Sequence, residues 1–538
     1  MGPTEDDGAE GAGKRSRAGA RLASPWWRGT AALLAGALPA LAFPEPSWWW
    51  FAYVALVPWL LLARSAPTGR RAALDGWLGG LGFMLAAHHW LLPSLHVFTV
   101  VIAALLGLLW APWGWLVRHQ LGEPSRAGAA AALLVIPAAW LMVELVRSWE
   151  GLGGPWGLLG SSQWQVTPAL RAASIGGVWL VSLLIVAVNT GLAVLIAIPS
   201  ARVPAAAGVV ATAVVTGAIW IWAPTPHREG RARIAVVQPG VVDGIGGADR
   251  RFALQEALTR TLAGRHPDLV VWGESSVGDD LAERPELARR LARLSRDVGA
   301  EILVNVDARR SDRPGIYKSS VLIGPDGPTG DRYDKMRLVP FGEYIPARAL
   351  LGWATSVGKA AGEDRVRGTR PVVMPVAGGL KIGPLVCFES AFPDMSRHLT
   401  REGAHLLLAQ SSTSTFQGSW APEQHASLAA IRAAENGRPM VHATLTGESA
   451  VFGPGGERIG EPLRTDESAA AVYDVPLATG LTPFARLGAW PVYGALAVLA
   501  VLCAVEGLRA LRRPARRSPE LAQGPARTAH GSPARPGR

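Results

Sequence analysis

Residues 29–223 run in long apolar blocks almost free of Asp, Glu and Lys. A backbone carried through lipid must satisfy its own N–H and C=O groups, so runs of this kind fold as helices. About 20 apolar residues cross the hydrocarbon. Seven stretches qualify before residue 224: 29–43, 47–64, 77–93, 96–117, 127–146, 172–198 and 204–223. An eighth, 487–508, follows a long polar interval. Pro44 and Pro46 mark the first turn, and Trp48, Trp49 and Trp50 suit a membrane interface.

The cations set a direction. Lys14, Arg15, Arg17, Arg21 and Arg28 precede the first span; Arg64, Arg70 and Arg71 follow the second. Arg118 and Arg126 follow the fourth, Arg202 the sixth, and Arg509, Arg512, Arg513, Arg516 and Arg517 the eighth. With eight crossings all of them share one side, which the positive-inside rule makes the cytoplasm. Arg147 and Arg171 run against the pattern. The net charge of +11 is accounted for by these flanking cations, so nucleic-acid binding is not expected. The expected layout is a disordered cytoplasmic tail (1–28), a seven-span membrane domain (29–223), an extracytoplasmic module (230–475), a last helix (487–508) and a disordered basic tail (509–538). The Gly- and Trp-rich loop 148–164 is expected to lie flat at the headgroups. His88, His89, Glu144 and Asn189, polar groups within or near spans, are read as helix–helix hydrogen bonders rather than a proton path.

Residues 230–475 read differently. Short β-rich runs such as 233–240, 268–276, 300–309, 379–390 and 404–412 alternate with helical patterns at 254–264, 286–299 and 422–437. This argues for sheets covered by helices, with hairpin turns at GPDG (324–327) and GPGG (453–456). Two apolar strands and the segment after a hairpin deliver chemistry. LVVWGE ends in Glu274, GPLVCFE carries Cys387, and YDKMRLVPFGE carries Lys335 and Glu343. Side chains at the ends of buried strands are well held and converge on a crevice. The chain has two cysteines, and Cys503 lies in the last apolar block, so Cys387 has no disulfide partner within this module. His405, His425 and His442 lack metal-ligand spacing and are read as scattered surface residues; no metal site and no cofactor are expected.

The order Glu, Lys, Cys resembles the triad of the nitrilase, or carbon–nitrogen hydrolase, superfamily. That resemblance implies an αββα sandwich. Together with the spans, YDKMRLVPFGEYIP (333–346) and VCFES (386–390) are similar to the bacterial apolipoprotein N-acyltransferase family. The resemblance implies Cys387 as nucleophile, Glu274 as general base and Lys335 as transition-state stabiliser. It further implies supporting roles for Glu343 and Glu389; the Phe388 backbone N–H, next to the nucleophile, is expected as a second oxyanion donor. The implied reaction is ping-pong: an acyl chain passes from a membrane phospholipid to Cys387, then to the amine of a diacylglyceryl-cysteine lipoprotein. The implied setting is the cell membrane, and a monomer is expected. Leu338, Phe341 and Leu351 are expected at the acyl entrance. Three positions depart from the family pattern: Gly273 replaces a common Pro, Phe388 a common Tyr, and 410–420 is atypical, with Phe416 alone alignable. The rival reading is a membrane-anchored amidase acting on small amides.

Overall fold

The computed structural model describes residues 24–512 except 124, 243, 245 and 353–361. Most of both expected tails therefore lies outside the described residues. The part of the first tail that is described is not disordered: helix α1 begins at Pro25 and buries Arg28. The reason is electrostatic, since Arg28 Nε donates to Asp75 at 2.8 Å and Arg71 Nε to the other Asp75 oxygen at 2.8 Å. Residues 509–512 likewise continue the last helix.

Each of the eight apolar stretches is helical. They are α1 (Pro25–Ala37, then a 3₁₀ turn to Ala42), a short segment Trp49–Arg64, α2 (Gly69–Ala87), α3 (Val97–Leu121), α4 (Arg126–Arg147), α5 (Thr167–Ala197), α6 (Pro199–Trp222) and α7 (Trp490–Arg512). Five of these, α3 to α7, are long and apolar enough to cross a membrane. The third stretch starts eight residues earlier than expected, at 69 rather than 77. Thr68 caps it, accepting from the Arg71 N–H at 3.1 Å, and Asp75 is neutralised by its two arginines. His88 and His89 consequently sit at its end, each bonded through Nδ1 to a carbonyl of the last turn. Asn189 links helices, accepting from Leu56 N–H at 2.9 Å and donating to Ala52 O at 2.8 Å. Helices α1 and α2 touch through glycine: a Cβ on Gly36 would lie 1.9 Å from Gly79 O.

The basic loops share one end of this bundle, where Arg118 reaches Pro67 O (3.1 Å) and Arg126 reaches Ser200 O (3.0 Å). The soluble module contacts the opposite ends. There Gln424 gathers Trp90 Nε1, Trp156 Nε1 and Pro44 O at 2.9–3.1 Å. Loop 148–164 does not lie wholly at a surface: Trp149 is exposed, but the second half packs inward. Leu158 to Trp164 are buried, because Glu144 accepts the Leu159 N–H (2.7 Å) and Ser182 the Gly160 N–H (2.8 Å).

The module has two sheets. The six-stranded sheet runs β11-β1-β2-β3-β4-β5, with β1 His227–Gln238, β2 Leu269–Trp272, β3 Glu301–Arg309, β4 Ile316–Gly324, β5 Gly327–Asp334 and β11 Ala469–Thr479. The five-stranded sheet runs β10-β9-β8-β7-β6, with β6 Met374–Pro375, β7 Lys381–Val386, β8 Leu406–Ser411, β9 Met440–Thr444 and β10 Ala450–Phe452. Strands β1–β3 are parallel, as are β7–β9. Ile234, Val271 and Leu303 meet Ile382, Leu408 and Val441 in the core between the sheets. Helices Gly247–Arg260 and Pro285–Val298 cover the outer face of the first sheet. Helices Pro393–Arg401 and Ala421–Asn436 cover the second.

This last layer is not a surface. All of Ala421–Asn436 but Glu423 is buried, since membrane-helix residues Leu141, Val178 and Trp179 pack in the same cluster. The union is also polar. Helix α5 breaks at Gly176 and Gly177, freeing the Val178 N–H, and Glu435 accepts it at 2.7 Å while pairing with Arg432 at 2.9 Å.

Candidate active site

Glu274, Lys335 and Glu343 are nearly inaccessible, at 3%, 1% and 5% exposure. Lys335 follows β5 and is held by mutual backbone pairing: its N–H donates to Lys318 O at 2.8 Å and its C=O accepts from Gly368 at 2.8 Å. Its Nζ lies 2.7 Å from Glu343 Oε1 and 3.1 Å from Glu274 Oε1. The eight-residue separation of Lys335 and Glu343 is closed by a turn in which Phe341 takes φ +63° and Glu343 Oε2 accepts the Val339 N–H at 2.8 Å.

A second ammonium, not anticipated from the sequence, completes the cluster. Lys318 Nζ is 2.8 Å from Glu274 Oε1, 3.0 Å from Glu343 Oε1 and 3.8 Å from Asp307. Two carboxylates are thus bridged by two ammonium groups. Burial pushes the Glu274 carboxyl up, but Lys318 and Lys335 more than offset it and leave it below the usual range. Burial acts on Glu343 too, and the same lysines hold it down at about 2. Both lysines reach Glu274 through the same oxygen, Oε1.

Cys387 follows β7 on a tight turn with φ +50°, a left-handed conformation that strains a side-chain-bearing residue. Burial and the charge of Glu274 push its thiol up to about 12, against the pull of Lys335. The thiol therefore rests protonated at neutral pH, and any nucleophilic role for it calls for a base to take its proton.

Glu389 fastens the two arms. Its Oε1 accepts Tyr333 Oη, Met336 N–H and Arg337 N–H at 2.7–3.0 Å, and its Oε2 accepts Val386 N–H at 2.8 Å. The residues flanking Lys335 and the residue before Cys387 are therefore tied to one carboxylate. Phe388 packs edge-on against Phe392 (4.9 Å), and a Cβ on Gly154 would strike its ring at 2.7 Å. The aromatic after the cysteine so touches loop 148–164.

The histidine expectation fails for two of three. His425 and His442 are buried, with rings 4.6 Å apart, because the helix carrying His425 is covered on both faces. His425 Nε2 lies 3.2 Å from Cys387 O and 3.1 Å from Ser390 Oγ, and burial pushes its ring down to about 4, keeping it neutral. In the atypical segment, Gln410 crosses between sheets to Trp272 O at 2.8 Å, and Phe416 packs on Trp90 at 4.8 Å. Of the expected entrance residues, Leu338 is buried and Phe341 and Leu351 are half-buried; the chain following at 353–361 lies outside the described residues.

Gly273 is required here by close approach. A Cβ at this position would lie 2.3 Å from Leu445 N and 2.5 Å from Thr444 C, both backbone atoms. Gly273→Ala must separate β2 from β9 and displace the adjacent Glu274. The expected result is a loss of activity of about a hundredfold or more, from sub-ångström to ångström misplacement, measured as acyl transfer by the purified variant.

A half-buried thiol at a strained strand end, beside a charge-balanced set of acids and lysines between two sheets, defines a carbon–nitrogen hydrolase module. The family model described as carbon–nitrogen hydrolase matches residues 233–480, and that of the apolipoprotein N-acyltransferase N-terminal domain matches 35–191. The chain is 32% identical to an apolipoprotein N-acyltransferase of Azotobacter vinelandii, over 94% of this chain and 98% of the relative. It is 31% identical to one of Geobacter metallireducens, over 88% and 94%. An amidase from Nesterenkonia sp. superposes with a TM-score of 0.33 at 21% identity, over 47% of this chain and 93% of the amidase. The chain belongs to the apolipoprotein N-acyltransferase family.

Proposed function

We propose that the protein N-acylates lipoproteins, moving an acyl chain from a phospholipid to the amine of an N-terminal diacylglyceryl-cysteine through a thioester on Cys387. The observation that carries this reading is the isolated thiol, set beside a base held ionised and an ammonium held charged, in a module seated on apolar helices. Cys387 Sγ attacks the ester carbonyl while Glu274 takes the thiol proton. Lys335, with one ammonium hydrogen uncommitted to Glu274 or Glu343, and the Phe388 N–H stabilise the oxyanion. Glu274 then returns the proton to the departing lysophospholipid oxygen. The acceptor amine attacks the thioester, Glu274 takes its proton, and the thiol is regenerated. Glu343 and Glu389 hold Lys335 in register.

The topology we infer has eight crossings with both tails in the cytoplasm and the module (230–475) on the outer face of the cell membrane. The basic loops at the bundle end opposite the module support it. The working unit is a single chain. Placing the thiol at the membrane spares the acyl chain a transfer into water, which costs about 0.8 kcal/mol per CH₂. A small-amide hydrolase needs none of this apolar mass.

The test uses the full chain in phospholipid vesicles. Peptide mass mapping should find a long-chain acyl group on Cys387, and a synthetic diacylglyceryl lipopeptide should discharge it and gain one acyl chain. An unmodified Cys387, or turnover of small amides without lipopeptide acylation, favours the amidase instead.

Lys318 gives a separate expectation. A depressed carboxyl supplies base at every pH above its folded value and loses it only as pH falls through that value. Lys318→Met removes one of the two cations holding Glu274 down. The acid limb of acyl-enzyme formation should move upward by about one to three pH units, with a largely preserved plateau. The limb is read from single-turnover rates against pH.

A further inference from the structure

Two arginines oppose the charge pattern of the membrane helices, and the structure treats them differently. Arg147 is buried and donates to Trp156 O (2.5 Å) and Gly157 O (3.0 Å), so internal carbonyls account for it. The Arg171 guanidinium has no hydrogen bond or ion pair among the described residues, and it lines a cavity of about 720 Å³ at the seam between the membrane helices and the soluble module. Trp164 and Trp220 form part of the membrane-side wall; Arg228, Glu457 and Arg458 come from the module. Arg228 pairs with Glu457 at 3.0 Å. Arg458 makes no ion pair among the described residues and stacks over Trp164, 5.2 Å from the ring. The cavity thus sets three guanidinium groups against one carboxylate; Arg171 has no partner among the described residues, and Arg458, held on an indole, also faces Glu423 and Glu448 of an acidic pocket on its other side.

The setting narrows what such a cavity takes. Arg171 lies near the start of α5 and Trp220 near the end of α6, a helix only 6% buried in its apolar window and so facing lipid. Half-exposed Trp220 belongs to the interface belt, the depth of phospholipid phosphates. Arginine binds phosphate through paired donors, and a lining whose three arginines face one carboxylate, already paired with Arg228, disfavours the cation of a zwitterionic headgroup. The cavity is also remote from the thiol. Phe452, in its wall, pairs with Met440 at the start of β9, whereas Cys387 follows the far end of β7, where Val386 pairs with Gln410 near the end of β8.

We propose that this seam cavity holds the headgroup of an anionic phospholipid that is bound and not consumed, its phosphodiester between Arg171 and Arg458. The lipid bridges membrane helices and module, and the site is separate from the acyl-donor site.

The test uses the full chain in nanodiscs containing phosphatidylglycerol and phosphatidylcholine in equal parts, followed by native mass spectrometry of retained lipid. The wild type should keep phosphatidylglycerol over phosphatidylcholine by about tenfold or more, and Arg171→Gln/Arg458→Gln should lose that preference. Arg458→Gln alone, on an exposed turn, should lose about tenfold and guards against misfolding of the double variant. Acyl-adduct formation on Cys387 serves as an independent check that each variant is folded. Equal retention of the two lipids by the wild type, or an unchanged preference in the folded variants, overturns the proposal. So does displacement of phosphatidylglycerol by millimolar inorganic phosphate, which marks a solution-anion site.

Discussion

Cys387→Ala is expected to carry no acyl group after incubation with phospholipid vesicles, and to lose lipopeptide acylation by about six orders of magnitude. The described module offers no second thiol, since Cys503 lies exposed on α7. Ser390 is the nearest hydroxyl in sequence, but it donates to Cys387 O at 2.9 Å and is buried beneath the turn rather than presented by it. Water cannot take over, because the product is an amide and acyl transfer needs the thioester to hold the chain between donors. Removing the nucleophile leaves the oxyanion donors idle, so the loss approaches that of dismantling the whole site. Stability should change little: Cys387 is only half-buried, and alanine tolerates φ +50° no worse than cysteine does. An unchanged melting temperature with an absent adduct is the expected pair of measurements. A normal adduct elsewhere on the chain would place the nucleophile wrongly.

The sequence displayed the parts of this site that stand at the ends of apolar runs. Glu274 and Cys387 could be found because a charge or a thiol closing a fully apolar strand is conspicuous. Lys318 could not. It sits in YKSSVLIG, where a lysine among mixed residues reads as solvated, and only the β4–β5 register, Ser319 opposite Asp334, brings it beside Lys335. The GPDG turn joins the two strands, but a register shift between Val321 and Ile323 intervenes, so the turn alone does not place Lys318. Glu389 is visible as a residue, yet three of its four bonds reach partners 52–56 residues away. The burial of His425 escapes the sequence for a related reason. The helix Ala421–Asn436 has an ordinary mixed composition, and nothing local reveals that membrane helices bury its second face. The bounds of α2 shifted because Arg71 and Asp75 look like a loop until Arg28, from another helix, neutralises the acid.

Lys335→Met is expected to slow acyl-enzyme formation by roughly a thousandfold or more. Two effects combine. One oxyanion donor is lost, worth about 3–4 kcal/mol in comparable sites. The second effect falls on the base. With Lys335 present, Glu274 and Glu343 share two cations; without it, they share Lys318 alone. One carboxyl of a buried pair facing a single ammonium then holds its proton to higher pH. The acid limb of the rate profile should move upward, as it does in Lys318→Met, but the plateau should fall as well. That combination separates the two lysines: Lys318 acts through the charge of Glu274, whereas Lys335 also meets the reacting carbonyl. Methionine preserves the length and burial of the side chain, so a folded variant is obtainable, and single-turnover labelling of Cys387 across pH reads both quantities at once. A variant whose plateau matches the wild type while its acid limb shifts would reduce Lys335 to a second Lys318 and leave the oxyanion to backbone donors.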